Sequence, residues 1–332
     1  MFPSKTRNIS SVSASESVAN KSTIFGPVSS RRFGVSLGID LSPETKSCNF
    51  DCVYCELPKA QRTDTISHPP KVDRIIEDVT AALKNHPLTE VITITANGEP
   101  TLYPDLESLI DALIAIKGER RLMILTNSST LPDPKVRAAL KKLDSVKCSL
   151  DCVTKRCYKR IDRPLHTDVS DVIEALRLFR DEYDGELLLE ILLVAGINDT
   201  IREFEAFANI LPEIRPDRID IGTIDRPPAY PVQGVSYKEL HAISMMFDPS
   251  LPLHIASRQH AESCVGAYSE EEIVNTLDKR PLTAEDVTLL FDEASKERLR
   301  KLIEAGEIVE TTGSGIAFYV PAKNVARKRQ KA

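Results

Sequence analysis

Short apolar runs alternate with longer amphipathic segments along most of the chain. Between about Phe33 and Ser257, runs rich in β-branched residues are followed by segments whose apolar residues recur every three or four positions. The runs predict strands at residues 35–39, 91–96, 122–126, 146–150, 187–195 and 218–224. The amphipathic segments predict helices at residues 72–84, 106–117, 135–143, 169–183 and 201–211. The repeated strand–helix order predicts an α/β protein.

Several of the predicted strands are apolar without alternation, as in residues 187–194. Continuous apolar strands are typical of a parallel sheet that is buried on both faces, and we expect this sheet to be barrel-like. In such folds the chemistry lies at the carboxyl ends of the strands. Polar residues stand at those ends, because Glu99, Asn127, Asp151 and Asn198 follow four successive predicted strands.

The pattern changes after Cys264. Three helices are predicted, at about residues 271–277, from residue 284 and at about 296–304, and a hairpin follows with strands at 307–310 and 316–319. This order predicts a small C-terminal winged-helix domain. We therefore expect a disordered tail at 1–22, a core domain at 23–262, the winged-helix domain at 266–322 and a basic tail at 323–332.

Composition narrows the class of protein. The 332 residues, 42% of them hydrophobic, can fill roughly two domains of about 150 residues. No run of about 18 apolar residues occurs, and the first 21 residues lack the apolar core of a secretory signal, so we expect a cytoplasmic protein without a membrane partner. The net charge of -6 argues against a broad electrostatic grip on nucleic acid, although a local basic groove stays open. The seven cysteines predict reduced thiols rather than disulfides.

Three of these cysteines, Cys48, Cys52 and Cys55, stand directly after the first predicted strand, at spacings of four and three residues. A loop can direct three such thiols onto one iron–sulfur cluster and leave a fourth iron without a local protein ligand. Zinc is the competing interpretation, because it also takes cysteine ligands. A structural zinc site needs four ligands, however, and no second pair lies near the loop, since His68 is separated from it by Pro58 and a polar segment.

The C-x3-C-x2-C loop, with an aromatic residue before its last cysteine, resembles the signature of the radical S-adenosylmethionine (SAM) superfamily. The resemblance implies a partial (β/α)6 TIM-like barrel and a [4Fe-4S] cluster on Cys48, Cys52 and Cys55. It also implies that SAM chelates the free iron, with Tyr54 near its adenine. Reductive cleavage of SAM would then release a 5′-deoxyadenosyl radical that abstracts hydrogen from a substrate.

Further cofactor-binding residues follow from the same resemblance. The segment Asn97-Gly98-Glu99-Pro100 is similar to the family's Gly-Gly-Glu-Pro motif, which contacts the SAM amino group, with Asn97 in place of the first glycine. A glycine lets backbone approach a ligand, and a carboxylate suits an ammonium. Polar SAM contacts at later strand ends correspond to Asn127, Ser149 and Asp151. An aspartate there is equally an ordinary cap or turn residue.

Segments 26–34, 160–164, 195–199 and 226–229 resemble bacterial radical SAM proteins grouped with the wyosine-base synthases of tRNA. The substrate classes that this leaves are a tRNA nucleoside, a peptide or a small molecule, with an electron donor such as flavodoxin or ferredoxin. A nucleic-acid substrate would use Arg31, Arg32, Arg160, Arg163 and Arg226. The chain has no cysteine before Cys48, so the second, pyruvate-engaging cluster of archaeal and eukaryotic wyosine synthases is not expected.

Three alternatives stay open at the level of sequence. The first is a regulator without turnover, in which the cluster senses oxygen or iron and the winged helix binds DNA, although no helix after residue 270 is strongly basic. The second is an iron–sulfur electron carrier. The third is a further metal site at Cys148, Cys152 and Cys157, which competes with plain packing, while Cys264 is interpreted as an ordinary thiol.

Overall fold

The computed structural model describes residues 22–30, 33–255, 265–313 and 316–325. Several features considered above lie outside these residues: nearly all of the predicted tail at 1–22, Arg31, Arg32, Cys264 and most of the basic tail at 323–332. No described helix combines the length and the apolar composition that a bilayer crossing requires.

A single eight-stranded sheet forms the centre of the protein, and its strands follow one another in chain order. They are β1 (Ile24–Ser30), β2 (Gly34–Asp40), β3 (Val91–Thr95), β4 (Arg121–Thr126), β5 (Ser145–Ser149), β6 (Glu186–Leu193), β7 (Arg218–Thr223) and β8 (Leu253–Ile255). Strand β1 pairs antiparallel with β2, and every later pair is parallel. The six predicted strands are β2 to β7. The sheet therefore has one more strand at each edge than the six implied by the resemblance.

The two additional strands have weak sequence signals. Strand β1 contains Gly26 and Pro27, and Pro27 cannot donate a backbone hydrogen bond to a ladder, which restricts it to an edge. Its register with β2 is interrupted between Phe25 and Val28. Strand β8 has only three residues. Neither strand therefore presents the long apolar run by which the inner strands are found.

Helices connect the parallel strands. They are α1 (Val72–Asn85), α2 (Leu106–Ile116), α3 (Pro134–Leu140), α4 (Lys155–Ile161), α5 (Val169–Glu182), α6 (Ile201–Ile214) and α7 (Tyr237–Ser244), with a short 3-10 turn at Pro100–Leu102. The five predicted helices are present. Helices α4 and α7 were not predicted, because at seven and eight residues they are too short to show a clear apolar period.

The core supports the prediction of a sheet buried on both faces. In β3, consecutive residues Val91, Ile92, Thr93 and Ile94 are all buried, so neither face of this strand contacts water. The helices supply the covering layers, as Leu109 and Leu176 show by their complete burial. Each such aliphatic side chain contributes about 1.5–3 kcal/mol by leaving water. The rigid sheet therefore provides a fixed base for the loops at its carboxyl edge.

The C-terminal segment forms a smaller unit with its own core. It consists of α8 (Glu270–Lys279), α9 (Ala284–Leu290), α10 (Glu293–Glu304), β9 (Ile308–Gly313) and β10 (Ile316–Pro321), with β9 and β10 paired antiparallel. Capping boxes begin α8 and α9. Two hydrogen bonds join this unit to β1: Gly26 N donates to Thr276 Oγ1 at 3.1 Å, and Tyr268 Oη donates to the Pro27 carbonyl at 2.6 Å. The three predicted helices and the hairpin are thus present and are fixed to the edge of the large sheet.

Candidate functional site

The loop after β2 carries the three closely spaced cysteines, and neighbouring loops hold its backbone in place. Asp51 N and Val53 N donate to the carbonyls of Asp162 and Ile161 at 3.1 and 2.8 Å, which ties the loop to the end of α4. On the far side, Ala229 N donates to the Cys55 carbonyl at 2.8 Å. The loop is therefore anchored at both ends, as a site for a bound group requires.

Polar groups surround the three cysteine sulfurs, which are half-buried. Cys55 Sγ accepts a hydrogen bond from Lys46 Nζ at 3.3 Å. Cys48 Sγ lies 3.7 Å from Asn127 Nδ2, and Cys52 Sγ lies 3.7 Å from a carboxylate oxygen of Asp162. Burial acts to lower the pKa of Lys46, but the charge and hydrogen bond of Cys55, together with the charges of Cys48 and Cys52, raise it overall. Lys46 thus contacts the cysteine loop through the Cys55 sulfur.

The thiol pKa values follow from burial and from nearby carboxylates. Burial, helped by the charge of Glu99, raises the pKa of Cys48 to about 12. Burial and Asp162 likewise raise the pKa of Cys52 well above its usual range. Both groups are therefore protonated thiols near neutral pH in the metal-free protein. A metal that binds here must displace those protons, so its affinity increases with pH.

The sulfur atoms of this loop are not as close to one another as the ligands of a single metal ion. Among the residues that the structure describes, the group of three ligand atoms within 4.8 Å of one another belongs to Cys152, Cys157 and Glu203, not to the loop. One zinc ion with bonds of about 2.3 Å in a tetrahedron needs sulfurs about 3.8 Å apart. A cube in which each cysteine binds a different iron takes a wider set. The donor set of the loop therefore fits a multi-iron cluster better than a single zinc ion.

The prediction that all cysteines are reduced thiols is wrong for two of them. Cys152 and Cys157 form a disulfide, which is possible because the turn into α4 brings their Cα atoms to 5.7 Å. Glu203 beside them accepts hydrogen bonds from Val153 N and Thr154 N at 2.5 and 2.9 Å and so holds the turn that leads into α4. Cys148 is buried in β5 and does not join the pair. The structure therefore does not assemble the alternative metal site from these three cysteines.

The Gly-Glu-Pro turn after β3 lies against the start of the cysteine loop. Ser47 N donates to the Asn97 carbonyl at 2.8 Å, and Glu99 N donates to the Ser47 carbonyl at 2.9 Å. Gly98 has a φ of 142°, and a Cβ atom there would meet the Ser47 carbonyl oxygen at 1.8 Å. Only glycine fits this position. Pro100 then opens the 3-10 turn, so the motif is held as one rigid step beside the cysteines.

Glu99 is 1% exposed, and protein donors surround its carboxylate. Oε1 accepts from Thr101 N, Thr101 Oγ1 and Thr126 Oγ1 at 3.1, 2.6 and 2.6 Å. Oε2 accepts from Asn127 N at 2.7 Å, which leaves one of its lone pairs for a further donor. Burial raises the pKa of Glu99, although these hydrogen bonds oppose the shift. Glu99 therefore joins the ends of β3 and β4.

The other predicted cofactor residues converge on the same edge. Tyr54, Asn127, Ser149 and Asp151 line one small cavity together with Phe50 of the cysteine loop. The Tyr54 hydroxyl donates to Asp151, whose other oxygen accepts from Leu192 N at 2.7 Å. Burial raises the pKa of Asp151 to about 7. Asn198, also expected at a strand end, is completely buried and bonds only backbone groups, so its role is structural.

Sequence reasoning missed four residues that complete the site. Lys46 and Asp162 contact the cysteine sulfurs. Asp40 Oδ1 accepts from Asn97 N at 2.7 Å, and its carboxylate also contacts Lys279 of α8. Asp162 lies within the segment 160–164 that resembles related proteins, which was an available signal. Nothing in the local sequence indicates the contact with Lys279, because 239 positions separate the partners along the chain.

A sheet of parallel strands whose carboxyl edge carries a loop of three cysteines and a Gly-Glu-Pro turn defines a class of iron- and SAM-dependent enzyme folds. The chain belongs to the Radical SAM superfamily, whose family model matches residues 44–211. It is therefore a radical SAM enzyme.

Individual relatives are consistent with this membership. A UPF0026 protein of Helicobacter pylori (strain J99) is 38% identical over 304 residues, which cover 90% of this chain and 98% of that protein. An S-adenosyl-L-methionine-dependent tRNA 4-demethylwyosine synthase of Oryza sativa is 29% identical over 169 residues, 50% of this chain and 23% of that protein. The crystal structure of a radical SAM methyltransferase from Sphaerobacter thermophilus shares the fold, with a TM-score of 0.51, 14% identity and coverage of 68% of this chain and 67% of that one.

Proposed function

We propose that Cys48, Cys52 and Cys55 hold a [4Fe-4S] cluster and that the enzyme cleaves SAM there reductively in the cytoplasm. One observation carries the proposal: a single anchored loop presents three thiols beside the Gly-Glu-Pro turn, with the Lys46 ammonium on Cys55. When bound, the cluster would supply one electron to SAM, whose sulfonium C–S bond would break to give methionine and a 5′-deoxyadenosyl radical that removes hydrogen from the substrate. An external reductant such as flavodoxin or ferredoxin provides that electron.

The chain's own residues bind and orient the two cofactors. Lys46 donates to Cys55 Sγ at 3.3 Å, so its ammonium places a positive charge beside the cysteine loop. Gly98 leaves space for backbone to approach SAM, and the free lone pair of Glu99 accepts from the SAM amino group. The rigid turn holds that carboxylate at a fixed distance from the cysteines.

The second part of the proposed SAM site is the group of polar and aromatic side chains beside the cysteine loop. Asn127 Nδ2 donates to Asn49 Oδ1 at 3.0 Å, which orients the amide beside Cys48. Tyr54 is held by its hydroxyl contact with Asp151, so its ring forms a fixed wall. With Ser149 these side chains contact the nucleoside portion of SAM. Enclosure by aromatic and apolar neighbours excludes water from the reactive edge.

For the substrate we propose a tRNA nucleoside, with a peptide or a small metabolite as the classes to be tested against it. The proposal is supported by the likeness of half of the chain to the rice tRNA synthase. We further propose that the C-terminal unit is winged-helix-like and serves as a docking module. Its acidic first turn in α8, with Glu270, Glu271 and Glu272, disfavours a role in reading DNA.

The decisive test is formation of 5′-deoxyadenosine. The protein is reconstituted anaerobically with iron and sulfide, reduced with dithionite and incubated with SAM. We expect product from the wild type and from Cys148→Ala, because Cys148 is a buried thiol outside the loop. We expect none from Cys52→Ala. Equal product from wild type and Cys52→Ala would overturn the assignment of the cluster, and a silent wild type is assayed again with added tRNA before a negative result is accepted.

A further inference from the structure

A cavity with a strongly charged lining lies apart from the Gly-Glu-Pro turn. It has a volume of about 600 Å³ and lies on the outer side of the cysteine loop, against α4 and the segment that joins α4 to α5. The charged residues that line it are Asp51, Arg62, Lys155, Lys159, Arg163 and Asp168. Four of these side chains are cations and two are carboxylates, so the wall carries an excess of positive charge in a protein whose net charge is -6.

The positive charge is only partly neutralised within the cavity. Lys155 contacts Asp168, and Arg163 lies 3.5 Å from Asp51. Lys159 and Arg62 form no ion pair with any residue that the structure describes. Lys155 and Lys159 also stand one helical turn apart on α4, where like charges repel each other. An anion in the cavity would relieve this repulsion.

The arginines are held in fixed orientations. Arg62 Nη1 donates to the carbonyls of Arg163 and Pro164 at 3.0 and 2.8 Å, which fixes the guanidinium at the cavity rim. Arg163 adopts a left-handed backbone, with a φ of 48°, and its guanidinium lies 4.5 Å from the centre of the Tyr230 ring. A residue other than glycine in this conformation is uncommon and costs about 1 kcal/mol or more. Arg163 directly follows the C-cap of α4, where a left-handed residue commonly ends a helix, and the Tyr230 ring fixes its guanidinium in the wall.

The cavity adjoins the proposed site of chemistry. Asp51, which lines it, is part of the cysteine loop, between Cys48 and Cys52. Tyr230 donates to Asp51 at 2.5 Å from the loop after β7, and that loop also bonds the Cys55 carbonyl. A ligand anchored here can therefore extend over the loops that surround the cysteines.

We propose that this cavity binds a phosphate group of the substrate. A phosphate carries up to two negative charges and three acceptor oxygens. This matches a wall in which Arg62 and Lys159 have no carboxylate partner among the described residues better than a single carboxylate would. Arginine forks and lysine point charges are the usual phosphate donors. This proposal rests on the proposed function, because it assigns the phosphate to the substrate of that reaction. The phosphate can belong to a nucleic-acid strand or to a small phosphorylated molecule, and the test separates these two sources.

The test measures binding to the cluster-loaded protein. The probes are uridine 5′-monophosphate, uridine as the control without phosphate, and a short fluorescein-labelled single-stranded polyuridine RNA. Lys159→Glu and Arg62→Ala change the cavity, and both residues are exposed, so the fold is expected to persist. Lys84→Glu is the matched control, because Lys84 is an exposed lysine in the last turn of α1, outside the cavity lining.

We expect uridine 5′-monophosphate to bind and uridine not to bind. Lys159→Glu is expected to weaken phosphate binding at least about tenfold, while Lys84→Glu leaves it unchanged. If the source is a nucleic-acid strand, RNA binds more tightly than the mononucleotide, and each lost phosphate contact lowers the salt slope by about 0.7. If the source is a small molecule, RNA binds no more tightly than the mononucleotide.

Two results would overturn the proposal: absence of phosphate binding, and phosphate binding that is equally strong in Lys159→Glu. If the second result is accompanied by slower reduction of the cluster by an acidic flavodoxin in Lys159→Glu, the cavity is a docking surface for a protein. Formation of 5′-deoxyadenosine is measured in parallel on the wild type. Loss of that activity with phosphate binding intact would count against the proposed function and not against the phosphate site.

Discussion

Lys279, in the C-terminal unit, contacts the carboxylate of Asp40 at the end of β2, and Asp40 is 1% exposed. The same carboxylate accepts hydrogen bonds from Asn97 N and Ser42 N at 2.7 and 2.9 Å. The C-terminal unit therefore reaches the Gly-Glu-Pro turn through a single buried carboxylate. Lys279 is a positioning residue, because it contacts Asp40, and Asp40 in turn holds the backbone of the turn at Asn97.

Replacement of Lys279 by methionine should leave the Asp40 carboxylate buried without its cationic partner. Breaking one side of a buried ion pair costs about 3 kcal/mol or more. We expect a loss of that size in the free energy of unfolding, measured in urea, and weaker SAM binding because the turn at Asn97 is loosened. Lys301→Met, at an exposed position of α10 in the same unit, is the control. Equal stability of the two variants would mean that the contact contributes nothing.

Gly98 tests the packing of the Gly-Glu-Pro turn on the cysteine loop. The variant Gly98→Ala introduces a Cβ atom 1.8 Å from the Ser47 carbonyl oxygen, so the two loops must separate. We expect SAM binding to be abolished and thermal stability to fall. Gly306→Ala is a matched control, because Gly306 has a φ of 74° and no atom within 4 Å of the added carbon. It should show only the cost of a left-handed alanine, about 1 kcal/mol. SAM binding by Gly98→Ala at wild-type affinity would contradict the proposed role of the turn.

Asp151 should make the stability of the metal-free protein depend on pH. Burial raises its pKa from 3.8 to about 7, so the folded state keeps a proton that the unfolded state loses. This proton stabilises the folded state fully below about pH 4, and the stabilisation is lost as the pH rises through about 7. The slope is at most about 1.4 kcal/mol per pH unit for one proton.

The measurement compares unfolding free energies of wild type and Asp151→Asn from pH 4 to pH 8. Asparagine does not titrate, and it can still accept from Leu192 N as Asp151 does. We expect the advantage of the wild type over the variant to shrink across this range. A difference that stays constant with pH would show that Asp151 is ionised throughout.

Local pattern predicted the repeating part of the fold and the chemistry-bearing loops, but not the contacts between them. The parallel strands β2 to β7 were found because buried strands are continuously apolar. Strand β1 was missed because Gly26 and Pro27 interrupt it, and helix α4 because seven residues show too little periodicity. The pattern of cysteines likewise predicts a metal-binding loop, but it does not indicate which thiols form a disulfide. The disulfide of Cys152 and Cys157 depends on a turn that only the folded chain forms.

The site residues likewise could be identified from the sequence, whereas the contacts between them could not. Tyr54 and Asp151 were each proposed as cofactor contacts, and the structure joins their side chains across 97 positions of the chain. Glu99 was expected to face a ligand, and it also accepts four hydrogen bonds from the protein. Motif resemblance therefore indicated which residues to consider, while tertiary packing determines how many of their bonding positions stay open.

The central proposal is that Cys48, Cys52 and Cys55 hold a [4Fe-4S] cluster with one open ligand position. Electron paramagnetic resonance of the anaerobically reconstituted, dithionite-reduced protein tests both features most directly. We predict the signal of a reduced [4Fe-4S] cluster in the wild type, a change of that signal when SAM is added, and loss of the signal in Cys55→Ala. A spectrum that SAM leaves unaltered, or metal analysis that finds zinc in place of iron in the loop, would contradict it.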